Sequence, residues 1–268
     1  MSPAPTTAWT PDDERGRPLW EALGFCAGGP PRGTITLVGA GGKTTLAHSL
    51  ASTAADAGAR VLIVTTTKMA REPGLICDPD EVVEALKAGG VVVAGAESAP
   101  GKFGAFAPEV LDRLRAAADL VVVEGDGSRR LPFKVPADYE PVVPEWTDLL
   151  VIVAGLSSLG RPLSEICCRA EVAAGLLTGP DAAGLPHGDT PDTTGVLDRC
   201  LDPRTAAFLL RAGYLDNPAL ASWADRRVVV LNQADDPGRR MLASVLAGAL
   251  PGERVLFTTT IAESRNQR

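Results

Sequence analysis

Residues 37–46 read LVGAGGKTTL, a glycine cluster with one lysine and two threonines. An apolar, β-branched run from Thr34 to Val38 leads into it. The stretch KTTLAHSLASTAADAG leads out, with Leu46, Leu50 and Ala54 at helical spacing before Gly58. The order is therefore strand, glycine loop, helix. The next run, RVLIVTTTK (60–68), is too short for a helix and suits a strand buried on both faces, which completes a βαβ unit.

Short apolar runs recur at GVVVAG, DLVVVEGDG, DLLVIVAGL, RRVVVLNQAD and ERVLFTT, with helical patterns such as DPDEVVEALKAG and APEVLDRLRAAAD between several of them. This alternation predicts an α/β fold with a doubly wound, mostly parallel sheet, and the strand, Gly-Gly-Lys-Thr loop and helix of residues 34–58 make the expected fold P-loop NTPase-like. Residues 1–32 read as an N-terminal arm holding one short helix at PLWEALGF. Residues 33–268 read as the nucleotide-binding domain, with a helical insertion at about 160–225 that shows no convincing strand. No internal repeat is visible.

The 268 residues suffice for one sizeable core. Twenty-six basic against thirty-three acidic residues leave a formal charge of −7, which repels nucleic-acid backbones and argues against that class of partner. The five cysteines, Cys26, Cys77, Cys167, Cys168 and Cys200, are scattered without C-x-x-C spacing, so neither a disulfide framework nor a zinc site is suggested. No basic, then apolar, leader opens the chain. No apolar run approaches the roughly 18 residues of a membrane helix, and a cytoplasmic protein without a membrane partner is expected. His48 lies in a helix pattern, where packing explains it, and His187 sits in a Gly- and Pro-rich loop.

Parallel sheets gather functional groups at the carboxyl ends of their strands. In the loop, Gly39, Ala40, Gly41 and Gly42 allow a tight turn that aims backbone N–H groups at a phosphate, and the helix from Lys43 adds its positive dipole end. Lys43 suits β and γ oxygens, Thr44 offers a hydroxyl to Mg2+, and Thr45 completes the nucleotide-binding set of the loop. The usual signature, G-x-x-x-x-G-K-[ST], has glycine where Leu37 stands, so this is a shortened form. Thr66, Thr67 and Lys68 end the second run and reach the same phosphate if that strand lies beside the first; ordinary β propensity also explains the threonines.

Glu124 closes the third strand run and Asp126 follows two residues later. Together they can hold Mg2+ and orient the attacking group, in either order. Arg129, Arg130 and Lys134 follow closely, as a clamp for a phosphorylated substrate or as a solvated loop. At LNQAD, Asn232 would brace the loops, and Asp235 would accept hydrogen bonds from guanine as in the Asn-Lys-x-Asp element of GTP-binding proteins. ATP and GTP both stay open.

These residues, in this order, resemble the YqeC family, accessory proteins of selenium-dependent molybdenum hydroxylases. The resemblance rests on LVGAGGKTTLAHSLA, VLIVTTTKM, GKFGAFAPE, VEGDGSRRLPFKVPADYEPVVP, VAGLSSLGRPLSE and LNQAD, over roughly residues 34–236. It implies a substrate-side surface at Lys134, Tyr139, Glu140 and Pro141. Gly125, Cys168 and Gln233 depart from the alanine, histidine and lysine expected there. The implied function is nucleotide-dependent help, with Mg2+ and ATP or GTP, in maturing a molybdenum hydroxylase or its cofactor precursor. A slow NTPase is the first expectation. A non-hydrolysing scaffold and a small-molecule kinase are the alternatives.

Overall fold

The computed structural model describes residues 7–10, 13–25, 29–70, 73–99, 101–183, 185 and 193–259. Cys26 and His187 lie outside them. Seven strands run parallel: β3 (Gly33–Gly39), β4 (Arg60–Thr65), β5 (Gly90–Val93), β6 (Leu120–Glu124), β7 (Leu149–Gly155), β8 (Arg227–Asn232) and β9 (Val255–Thr258). Their spatial order is β9-β8-β7-β3-β6-β4-β5. The chain first winds outward through β4 and β5, returns to β6, crosses β3, and then winds the other way from β7 to β9. The carboxyl end of β3 thus lies where the winding reverses, the usual place for a ligand crevice in such sheets.

One condition is not met, and the N-terminal reading is extended. β4 does not lie beside β3, because β6 pairs with both and separates them. All five residues of β6 are buried, as suits a strand flanked by neighbours on both sides. The N-terminal segment is more than an arm: Thr7–Thr10 (β1) pairs antiparallel with β9, and Asp13–Pro18 (β2) pairs with β1, extending the sheet to nine strands. The short helix at Leu19–Ala22 follows, with Leu19 fully buried.

Strand alternation sorts the core into layers. Ile35, Leu37, Val61, Ile63, Leu120, Val122, Val151, Val153, Val228 and Val230 face one side, where α1 (Lys43–Asp56) covers them with Leu46, Leu50 and Ala54. On the other side two clusters form. Leu62, Val64, Val121 and Val123 pack with Val82, Leu86 and Leu114 of α2 (Pro79–Ala88) and α3 (Pro108–Ala117). Leu150, Ile152, Val229, Leu231 and Phe257 pack beneath the insertion and α6 (Pro237–Gly248). Thr36 interrupts that face on β3, and its hydroxyl pairs with that of Thr147 at 2.7 Å.

The insertion between β7 and β8 holds α4 (Ala170–Leu177) and α5 (Pro203–Leu210), and also a two-residue strand, Cys167–Cys168, parallel to Phe133–Lys134. Three helices start alike: Asp78, Asp202 and Asp236 each accept backbone N–H bonds at the N-cap, and a proline follows each. Among the described residues no helix is long and apolar enough to cross a membrane.

Candidate functional site

The glycine loop bends because only glycine tolerates its backbone. Gly39, Gly41 and Gly42 have φ of 93°, 91° and 106°. A Cβ on Gly39 would sit 2.3 Å from the Val153 carbonyl, and one on Gly41 2.2 Å from the Gly155 nitrogen. The loop is therefore pressed against the end of β7. Asn232, fully buried at the end of β8, donates from Nδ2 to the Gly41 carbonyl at 2.7 Å and accepts the Thr258 hydroxyl at 2.8 Å. It braces the loop, as its place in LNQAD predicts.

The loop and the first turn of α1 border a cleft of about 760 Å3. Gly41, Gly42, Lys43, Thr44, Thr45, Lys68, Glu124, Asp126, Arg129 and Arg130 line it together. Gly39 and Ala40 lie behind it, where Ala40 N–H donates to the Val153 carbonyl at 2.9 Å. Thr66 and Thr67 do not line it. The Thr66 hydroxyl donates to the Val142 carbonyl at 2.9 Å, and Thr67 N–H to the Thr65 hydroxyl at 3.1 Å. Asp235 does not line it either; its carboxylate lies 3.4 Å from Arg239. The turn carries Gln233 to the cleft instead, at φ 71°.

Asp126 is the largest departure from the sequence reading. The glycines around it suggest a mobile carboxylate, yet it is 1% exposed. Its two oxygens accept Gly39 N–H, both at 3.1 Å, and they pair with Lys43 at 3.0 Å and Lys134 at 3.1 Å. The Tyr214 hydroxyl approaches at 3.5 Å. Burial, with Asp126 nearby, pushes the Tyr214 phenol well above its ordinary value, so it stays a neutral donor. With its oxygens so engaged, Asp126 stands as a counter-ion to Lys43 and Lys134 at the base of the cleft. Lys43, 4% exposed, also bonds the Gly39 carbonyl, so it serves the core as well as any ligand.

Lys134 is likewise corrected from substrate clamp to structural cation. Buried to 2% exposure, it donates to the Gly127 carbonyl at 2.6 Å and pairs with Asp126 and, at 3.0 Å, with Glu140. Glu140 in turn accepts Arg169 Nε at 3.0 Å, and Arg169 Nη2 donates to the Tyr139 hydroxyl at 2.7 Å. Charges alternate along this chain, from Lys43 through Asp126, Lys134 and Glu140 to Arg169. Burial pushes the Glu140 carboxyl up, but Arg169 and Lys134 outweigh it and hold it below its ordinary value. Tyr139, at 71% exposure, marks the outer end of the chain, and Pro141 lies beside it rather than at the cleft.

Ser157, Arg161 and Gln233 also line the cleft and are missed by the sequence reading. The first two follow the end of β7, so applying the strand-end rule to DLLVIVAGL would have found them. Among the described residues no group of three or more His, Cys, Asp or Glu is placed to hold a metal ion.

The sequence profile of the family described as "YqeC protein" matches residues 35–171. A protein of Escherichia coli (strain K12) named "Uncharacterized protein YqeC" is 36% identical over 139 residues, which are 48% of this chain and 54% of the relative. The chain thus matches about half the relative's length. Half of this chain falls within the family profile, including the glycine loop, the end of β6 and the Lys134 pairings, and the chain belongs to the YqeC family.

Proposed function

We propose that the cleft binds the phosphates of a nucleoside triphosphate with Mg2+ and cleaves or transfers the terminal one slowly. The observation that carries this is the glycine loop, whose backbone and helix N-terminus border the cleft with Lys43 at its base. Thr44 is exposed at the first turn and Glu124 lines the cleft, so a hydroxyl and a carboxylate are the oxygen donors that would hold the metal. Bound there, Mg2+ would neutralise phosphate charge. Lys43 and the loop N–H groups hold the phosphates, and Asn232 keeps the loop in shape. Base identity stays ATP or GTP, since Asp235 is turned to Arg239. The service to a molybdenum hydroxylase or its cofactor precursor comes with the family resemblance alone.

Slow turnover follows from Asp126, whose oxygens are already committed to Gly39, Lys43 and Lys134. The same observation favours a second reading, a nucleotide-dependent scaffold without hydrolysis. Single-turnover product analysis separates the two: phosphate release supports the first, and bound but intact nucleotide the second.

Calorimetry with Mg–ATP and Mg–GTP tests the binding itself. Lys43→Ala is expected to weaken the preferred nucleotide by about tenfold to a hundredfold, the scale of a lost charge-assisted hydrogen bond. Because Lys43 also pairs with Asp126, Thr44→Ala is the cleaner companion and is expected to lower Mg2+ dependence without changing stability. Parental binding in both variants refutes the proposal.

A further inference from the structure

The two ends of the cleft differ in chemistry. It crosses the strand ends in the order β8-β7-β3-β6-β4, with Gln233 following β8, Ser157 and Arg161 following β7, the glycine loop in the middle, Glu124 ending β6 and Lys68 following β4. The β6–β4 end thus carries a carboxylate and an ammonium, which suit a metal ion and phosphate oxygens. The β8–β7 end offers the Gln233 amide, the Ser157 hydroxyl and Arg161, whose charge Glu165 matches at 3.2 Å. With phosphates on the loop and the metal toward Glu124, the end left for the uncharged base is that of β8 and β7.

Gln233 is held there at a cost in free energy. Its φ of 71° is a left-handed backbone that residues with side chains rarely adopt. Its neighbour Asn232 is anchored to the Gly41 carbonyl, and Gln233 Oε1 accepts Ser157 N–H at 3.1 Å. A backbone N–H can meet only the oxygen of an amide, so this bond fixes which way the side-chain amide is turned. Room for the oxygen depends on Gly155, where a Cβ would sit 2.9 Å from it. Among the described residues Gln233 Nε2 has no hydrogen-bond partner. With Oε1 engaged, the group left for a ligand is Nε2, which donates and cannot accept. Bases differ at this point of recognition: guanine carries the acceptor O6 where adenine carries the N6 amino donor. A fixed donor satisfies the first and leaves two donors facing each other with the second.

We infer that Gln233 is a specificity-determining residue, whose locked amide makes the cleft select a purine with a carbonyl at position 6, guanine or hypoxanthine, over adenine. This rests on the nucleotide reading of the loop, and it adds the class of base. The reader differs from the one expected in LNQAD: Asp235 does not line the cleft and lies 3.4 Å from Arg239, so O6 is read and the N2 amino group of guanine is not.

The test titrates the full chain by calorimetry with Mg2+ and ATP, GTP or inosine triphosphate, which shares O6 with guanine and lacks its N2 amino group. The parent is expected to bind GTP and inosine triphosphate alike and ATP about tenfold more weakly, the scale of one hydrogen bond lost and a donor left unpaired. Gln233→Glu keeps an oxygen for Ser157 N–H and replaces the donor by an acceptor. Its added charge weakens every triphosphate, so the readout is the ratio of GTP to ATP affinity, which is expected to fall to about one or below. Asp235→Asn is expected to leave that ratio as in the parent. Nucleotide binding with a ratio under about threefold in the parent overturns the inference and leaves the nucleotide reading standing. Inosine triphosphate that binds like ATP also overturns it, because N2 is then read. So does a parental ratio in Gln233→Glu, because the amide then serves the phosphates or the loop. Failure of the parent to bind any of the three is a different signature: the nucleotide reading itself falls, and base selection falls with it.

Discussion

Replacing Asp126 by asparagine keeps the shape and removes the charge. In the parent the two carboxylate oxygens meet Gly39 N–H at 3.1 Å, Lys43 at 3.0 Å and Lys134 at 3.1 Å, all buried. Losing one member of a buried ion pair costs about 3–5 kcal/mol, because the remaining charge is left desolvated. Here Lys134 keeps Glu140 and the Gly127 carbonyl, and the asparagine oxygen still accepts one hydrogen bond. The lower end applies, about 3 kcal/mol. At about 2–4 °C per kcal/mol for a chain of this size, the midpoint of thermal unfolding should fall by about 6–12 °C, read by circular dichroism. Adding Lys43→Met removes the stranded ammonium and should return part of that loss, a coupling of about 1–3 kcal/mol in the double-mutant cycle. A loose general base at this position would behave otherwise: stability would hold, turnover alone would drop, and the two substitutions would simply add. A loss under about 1 kcal/mol, or strict additivity, refutes the counter-ion role.

Gly41→Ala should destabilise by about 3 kcal/mol or more and abolish ligand binding, since its Cβ meets backbone at 2.2 Å; Gly58→Ala, at φ 93° with open space around it, should cost only about 1 kcal/mol. Equal losses in urea unfolding would remove the close approach to Gly155 from the explanation. Hydrogen bonding from Arg60 holds the Asp119 carboxyl at about 2, below its unfolded value, so its contribution is fully present above about pH 4 and is lost as pH falls through 2. Asp119→Asn should flatten the stability profile in that window, and an unchanged acid limb would count against the pair. Burial pushes the Cys167 thiol up to about 12, so at pH 8 an alkylating agent should label exposed Cys200 and spare Cys167; comparable labelling by mass spectrometry would contradict that burial.

Features that depend on near neighbours in the chain were legible. The apolar runs became the parallel strands, Leu46, Leu50 and Ala54 became the buried stripe of α1, and the glycines of the loop took the left-handed backbone that only they accept. Asn232 reached the loop because strand ends converge in any parallel sheet. Pairing partners were not legible, since a strand's own pattern does not name its neighbour: β6 came between β3 and β4, and β1 and β2 joined the sheet at β9. The charged residues went furthest astray. Asp126 and Lys134 read as solvent-facing site groups because aspartate and lysine usually are, yet distant segments enclose both, one matched to the other and to Lys43 and Glu140. Local spacing determined which elements form and where the glycine loop lies. Only the tertiary structure decided which charges stay at the cleft surface, because the cost of burying a charge depends on partners brought together from far apart in the chain.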